Sequence, residues 1–295
     1  MALAPVIAVS HGGGPMPLLG DPFHKDIVHS LTNRVPKILH LDDPARRPRA
    51  IVIVTAHWQT AVPSVTTGAS PGLYYDYGGF PAEAYSLTYP ARGDPGVAAE
   101  VAEALRAEGL EADMRERDWD HGVFVPMKLI RPEADVPVVQ VSVLRSEDPA
   151  EHLAMGRALG RLRSGNVAIV GSGFASFHNL RHMMPMMRGG SGADAAGVRR
   201  KAEGFSRAVD EALRDGGEGL KGWRGFPGAD DMHPPRGGDH FMPLIVCAGA
   251  AVGKGEEVRS YRDDFLGVDV WTWYWGASED VGGDESFSTR GKTEL

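Results

Sequence analysis

Histidine both ligates transition metals and exchanges protons near neutral pH, so its placement along a chain is informative. This chain has eleven histidines, and their positions differ in kind. His11 directly follows an apolar run, Pro5-Val6-Ile7-Ala8-Val9-Ser10, and opens His11-Gly12-Gly13-Gly14-Pro15. His57 follows a second run, Ala50-Ile51-Val52-Ile53-Val54-Thr55-Ala56. His178 comes a short turn after a third, Val167–Gly173, and His233 and His240 flank the turn-rich Pro234-Pro235-Arg236-Gly237-Gly238-Asp239. Three or four neutral imidazoles brought together would make a good site for zinc, copper, iron or nickel. His24, His29, His40, His152 and His182 have no such placement and read as structural or surface residues.

For these side chains to meet, the runs before them must lie side by side. Pro5–Ser10, Ala50–Ala56, Pro137–Leu144 and Val167–Gly173 read as strands, and the β-branched ones as strands buried on both faces. Helices are expected at Pro95–Gly109, Pro149–Arg163 (with Asp148 as N-cap), Asp194–Arg214 and Phe241–Ala251. Late strands are expected at Val258–Arg262 and Val268–Trp275. In the latter, Trp271, Trp273 and Trp275 alternate onto one face and read as core. The pattern predicts a single α/β domain, residues 1–280, with a central mostly parallel or mixed β-sheet flanked by helices on both faces. In open sheets of this kind ligands bind beyond the carboxyl ends of the strands, where His11, His57 and His178 fall. Residues 281–295 are polar and are expected to be a disordered tail, and Gly189–Gly192 and Gly216–Gly228 to be mobile loops. Asp76–Ala91, rich in Tyr, Gly and Pro, fits a pocket-lining loop or a plain surface loop.

Composition narrows the function classes. The 295 residues are 42% hydrophobic and 24% charged, as in a soluble globular protein. With 31 Lys and Arg against 39 Asp and Glu, the net charge of -8 argues against nucleic acid or an anionic membrane as partner. No apolar run approaches the roughly 20 residues needed to cross a bilayer. Met1-Ala2-Leu3-Ala4-Pro5 lacks a basic segment and a long apolar one, so no secretory signal is expected. Cys247, the only cysteine, allows neither an internal disulfide nor a Cys-rich zinc site, and a cytoplasmic location is expected. A monomer or small homo-oligomer acting on a small molecule fits these bounds.

The order of several short blocks resembles a known family. Ser10-His11-Gly12-Gly13-Gly14-Pro15, Thr55-Ala56-His57-Trp58 and Asp76-Tyr77-Gly78-Gly79-Phe80-Pro81 come first. Trp119-Asp120-His121-Gly122, Gly171-Ser172-Gly173 with His178-Asn179-Leu180-Arg181, and Asp239-His240-Phe241-Met242-Pro243-Leu244 follow. In this order, from about Val6 to Ala251, they resemble the DOPA-dioxygenase-type class III extradiol ring-cleavage dioxygenases. The resemblance implies cleavage of a catechol-type ring with O2 at a non-haem Fe(II), with zinc able to occupy the site in purified protein. It implies His11, His57 and His240 as metal ligands, His178 as the acid/base residue and His121 as a second pocket histidine contacting substrate.

The chemistry explains such a set. Triplet O2 reacts slowly with a singlet catechol unless a redox-active metal holds both, and zinc cannot change oxidation state. Binding a catechol as a chelating anion releases a proton that a histidine can accept. The glycines at 12–14 would let backbone approach the metal closely, or form a plain tight turn. Within the segment near residue 240 the residues themselves leave three candidates. Pro243 must lie in the first turn of its helix, which sets His240 at the helix start. His233, before two prolines, reads as less well anchored and suited to gating or the surface, and Asp239 could be a ligand or a helix cap. A lipase-like hydrolase would need a Gly-x-Ser-x-Gly elbow, which Ser172 and Ser191 do not have. A zinc hydrolase using the same histidines, and a non-catalytic metal-binding relative, stay open as alternatives.

Overall fold

The apolar runs form the middle of an eight-stranded sheet in a computed structural model of the chain, which describes residues 3–188 and 195–277. The strands are β1 (Val6–Ser10), β2 (Ala50–Thr60), β3 (Ser64–Thr66), β4 (Asp113–Arg115), β5 (Val138–Leu144), β6 (Val167–Gly173), β7 (Arg259–Phe265) and β8 (Val268–Trp275). Their order is β4-β3-β5-β2-β6-β1-β8-β7. The central β5, β2, β6 and β1 are parallel, while β3 pairs antiparallel with β5 and β8 with both β1 and β7. Every residue of β1, β5 and β6 is buried, which explains their unbroken apolar character. The β7–β8 hairpin turns on Leu266 and Gly267, both at positive φ, as a tight two-residue turn requires.

Nine α-helices are described: α1 (Lys25–His29), α2 (Val35–Ile38), α3 (Pro95–Ala107), α4 (His121–Ile130), α5 (Pro149–Gly160), α6 (Leu180–Met187), α7 (Ala195–Arg214), α8 (Ala229–Met232) and α9 (Met242–Ala251). They cover both faces of the sheet, and β6 shows how. A Cβ on Gly171 would collide with Pro243 and Cys247 of α9, whereas the next side chain, Ser172, donates to the Gly122 carbonyl of α4. Successive strand residues face opposite ways, so α9 and α4 lie on opposite sides. Helices α5 and α9 approach closely through Gly156 and Gly249, where any Cβ would strike the other helix's backbone. Asp148 caps α5 by accepting from the Ala150 and Glu151 amides, with Pro149 in the first turn as expected.

Several elements depart from the sequence-based expectation. Helix α4 is not legible in the sequence, because Gly122, the β-branched or aromatic run Val123-Phe124-Val125 and an internal Pro126 leave no helical stripe to read. Strands β3 and β4, three residues each, are too short to show a period. The 216–228 stretch is not a mobile loop: Glu218–Gly225 forms 3-10 turns that bury Leu220 and Trp223, and Trp223 packs on Phe241. The 189–192 and 281–295 segments, and the Asp194 start foreseen for α7, lie outside the described residues. Trp271, Trp273 and Trp275 are all buried, as core. Among the described residues no helix is long and apolar enough to cross a membrane.

Candidate metal centre and active site

His11 follows β1 directly and keeps the ladder going, its amide bonded to the Gly173 carbonyl at 3.1 Å. Its tautomer can be traced through three residues. Pro126 has no N–H to give the carbonyl four residues earlier, which leaves the Gly122 carbonyl free within α4. That carbonyl accepts the Ser172 hydroxyl, so Ser172 Oγ must in turn accept from His11 Nδ1, 3.0 Å away. With its proton on Nδ1, His11 presents the Nε2 lone pair. Gly12 and Gly14 turn at positive φ and pack against Pro17, His24 and Phe80. His24, assigned to structure, is buried and clamps this turn: its Nε2 accepts the Gly13 amide at 2.9 Å and its Nδ1 lies 2.7 Å from Asp21.

His57 is not past the end of its strand, as the sequence suggested. β2 runs to Thr60, and its pairing with β5 shifts register between Thr55 and Gln59. His57 stands in that irregularity, which releases its side chain from strict alternation. Its amide bonds to Thr55 Oγ1 (3.2 Å), which donates to the buried Asp120 carboxylate (2.8 Å). His57 Nε2 lies 3.1 Å from His11 Nε2 and 3.2 Å from His240 Nε2. One proton on His57 cannot point at both neighbours, whereas a cation can face all three lone pairs. Two nitrogens each about 2.1 Å from one ion and near 100° apart would stand about 3.2 Å from each other, so the donor set fits a metal.

His240 precedes α9, whose Pro243 is in the first turn as expected. Its ring stacks on that of His178, with centroids 3.4 Å apart and planes 11° apart. His178 is fixed by its amide, which bonds to the Met232 carbonyl at 2.9 Å. Asp239 does not cap α9; it accepts from Gln59 Nε2 at 3.0 Å, and its Oδ1 lies 3.2 Å from His240 Nδ1. The reading of His233 as loosely anchored is corrected. It is fully buried among Phe205, Trp223 and Phe241, with Nε2 bonded to the Ala175 carbonyl at 2.7 Å, so it belongs to the core. His152 is likewise buried and bonded to backbone at both ring nitrogens, as a structural histidine.

His121 opens α4, its ring 3.7 Å from that of His57. Asp76 Oδ1 accepts both its amide (3.0 Å) and its Nδ1 (2.7 Å), and Asp76 Oδ2 lies 3.6 Å from His57 Nδ1. Asp76 thus lies against the histidine cluster, and Phe80 of the same loop lines the cavity. Burial opposes its charge, but the bonds from His121 outweigh this and hold the carboxyl below its ordinary range. Asp120 is the reverse case: burial pushes it up to about 6 despite its bond from Thr55. Burial, then the neighbouring imidazoles, push His11 and His240 well below the ordinary histidine range. Burial and His121 push His57 down to about 3, and burial pushes His178 down to about 4. These four rings are therefore neutral at pH 7, as metal ligation and proton acceptance require.

The structure thus brings together all five sequence-predicted site residues, around one cavity of about 300 Å³ that also reaches Gly12–Gly14. Possible ligand atoms of His11, His57 and His121 lie within 4.8 Å of one another, as do those of His178, Asp239 and His240, and the close Nε2 contacts of His57 join the two groups. Asp76, Asp120, Ser172 and His24 were missed as site partners. Asp76, Asp120 and Ser172 stood in the ordered blocks, but no local pattern says which side chain each one holds.

Comparison with known proteins agrees with this geometry. Residues 6–266 match the family described as the catalytic LigB subunit of aromatic ring-opening dioxygenase. The chain is 62% identical over 286 residues to the dioxygenase tasH of Hapsidospora irregularis, covering 95% of this chain and 87% of that one. It is 34% identical over 229 residues to a 4,5-DOPA dioxygenase extradiol of Portulaca grandiflora, covering 73% and 78%. A crystal structure of an uncharacterized Escherichia coli K12 protein superposes with a TM-score of 0.68 at 25% identity, over 92% of this chain and 99% of that one. With the match spanning β1 to the β7–β8 turn and therefore every histidine of the cavity, the chain belongs to the LigB family of class III extradiol dioxygenases.

Proposed function

We propose that this dioxygenase cleaves the ring of a catechol-type substrate with O2, using Fe(II) held by Nε2 of His11, His57 and His240. The observation that carries this reading is the meeting of those three nitrogens at 3.1 and 3.2 Å beside a cavity that two further histidines enter. Fe(II) bound there would supply the orientation and electron relay that spin-forbidden O2 chemistry needs.

The chain's own residues do the rest. His178, neutral because burial pushes it down to about 4, presents a lone pair that can take a hydroxyl proton as the catechol docks. Its stacking on His240 holds it at the edge of the ligand set without requiring it to be a ligand. His121 keeps its Nδ1 proton on Asp76, which fixes the ring and leaves Nε2 for substrate. Both oxygen atoms of O2 enter the product and the C–C bond beside the diol breaks, so no external reductant is needed.

Anaerobic reconstitution with Fe(II), then a panel of catechols and aminophenols, tests the proposal. O2 uptake with a new visible absorbance from a ring-opened semialdehyde is expected with at least one of them. Silence across the panel at confirmed iron occupancy would refute it.

A further inference from the structure

Helix α6 carries Leu180, Met183, Met184 and Met187 at the i, i+3, i+4, i+7 spacing of a single face. An apolar helix face in a globular domain ordinarily packs on the core. Here Met183 is buried, but Leu180 is 58% and Met184 42% exposed, and all four residues line the histidine cavity. Met16, Phe80 and Phe265 complete the apolar lining. Among the described residues that line the cavity, none is Asp, Glu, Lys or Arg.

We infer that the natural substrate carries a neutral, apolar substituent on its ring, seated along the methionine face of α6, in place of a charged amino-acid side chain. The inference rests on the ring-opening reading above and names the substrate class within it. The five histidines would take the diol end of the ring, which leaves the α6 face to meet whatever the ring bears. A carboxylate or ammonium placed there would lose water and find no side-chain counter-charge in the described lining. An alkyl or acyl chain would instead gain from burial, roughly fourfold in affinity per methylene. Methionine suits this task because its unbranched, polarizable chain adapts to irregular apolar shapes. DOPA, which the names of two relatives carry, is a zwitterion, and this lining offers its charges no side-chain partner.

The test compares catechol, 4-butylcatechol, L-DOPA and 3,4-dihydroxyphenylpropanoate on the Fe(II)-loaded protein. Binding is measured anaerobically by calorimetry, and kcat/KM by O2 uptake. Butylcatechol should bind at least about tenfold tighter than either charged compound. Equal or tighter binding of L-DOPA or the propanoate overturns the inference while leaving ring opening intact. Failure of butylcatechol to bind or react, while another compound of the wider catechol and aminophenol panel is cleaved, overturns the inference alone. Silence of the whole panel at confirmed iron occupancy removes the ring-opening reading and the inference with it. Met184→Arg and Leu180→Arg alter partly exposed positions and add a carboxylate partner at the mouth. Each should move the propanoate-to-butylcatechol affinity ratio at least about tenfold toward propanoate. An unmoved ratio in both folded, iron-replete variants overturns the placement along α6.

Discussion

His11 and His57 direct their Nε2 atoms at one point because their Nδ1 sides face Ser172 and Asp76 respectively. Residue-level predictions follow from this division of the rings. His240→Ala should abolish iron binding, whereas His121→Ala and His178→Ala should keep most of the iron and lose about 10^2-fold or more in kcat. Metal content per folded protein separates the cases. Iron lost in His121→Ala but kept in His240→Ala would move the third ligand to the other cluster of donor atoms. A second prediction concerns the support behind His11. Ser172→Ala leaves its Nδ1 without the acceptor that sets the tautomer, and should weaken metal affinity about 10- to 100-fold in a chelator competition. Pro126→Ala should act in the same direction, since the restored amide would compete for the Gly122 carbonyl that receives Ser172. Unchanged affinity in both variants would sever this relay from metal binding.

At the scale of elements, the site depends on irregularities in otherwise regular pieces. The shift in β2 aims His57, Pro126 frees a carbonyl inside α4, and the close crossing of α5 and α9 seats the helix that follows His240. Gly249→Val would force a side chain into the Leu153 carbonyl of α5. It should destabilise the fold by about 2 kcal/mol or more in urea unfolding at constant m-value. A change below about 0.5 kcal/mol would mean that the two helices can separate freely. The same reasoning moves His233 out of the site: its contacts are with Phe205, Trp223 and Phe241, so its loss would be felt in packing before chemistry.

For the whole molecule, buried neutral histidines make stability depend on pH. Burial pushes His152 down to about 4 and His233 to about 3, while in the unfolded chain both titrate near the ordinary ~6.5. Between those values the unfolded state binds more protons, so stability falls as pH falls from about 6.5 toward 4. At pH 7.5 neither state holds the proton and the penalty is absent. By this linkage His152 alone should account for about 2 kcal/mol of the stability lost between pH 7.5 and 5. Urea unfolding of wild type and His152→Gln at both pH values checks this. An equally steep loss in the variant would assign the acid sensitivity to other groups.

The sequence by itself determined the parallel core, because strands buried on both faces must be apolar throughout and such runs are legible without tertiary information. It also singled out the five histidines that the fold gathers round one cavity, since His11 and His57 follow apolar runs of that core and ordered blocks marked His121, His178 and His240. What it could not decide was how each ring is held. Asp76 reaches His121 across 45 positions, and Ser172 reaches His11 across 161, separations at which no periodicity or spacing carries information. His233 and His240 both flank the same prolines and glycines, yet one is core and the other is in the cluster. Only the strand order β5-β2-β6-β1, with α4 and α9 on opposite faces, decides which side chains converge. That order is set by burial summed over the whole sheet, and no local segment encodes it.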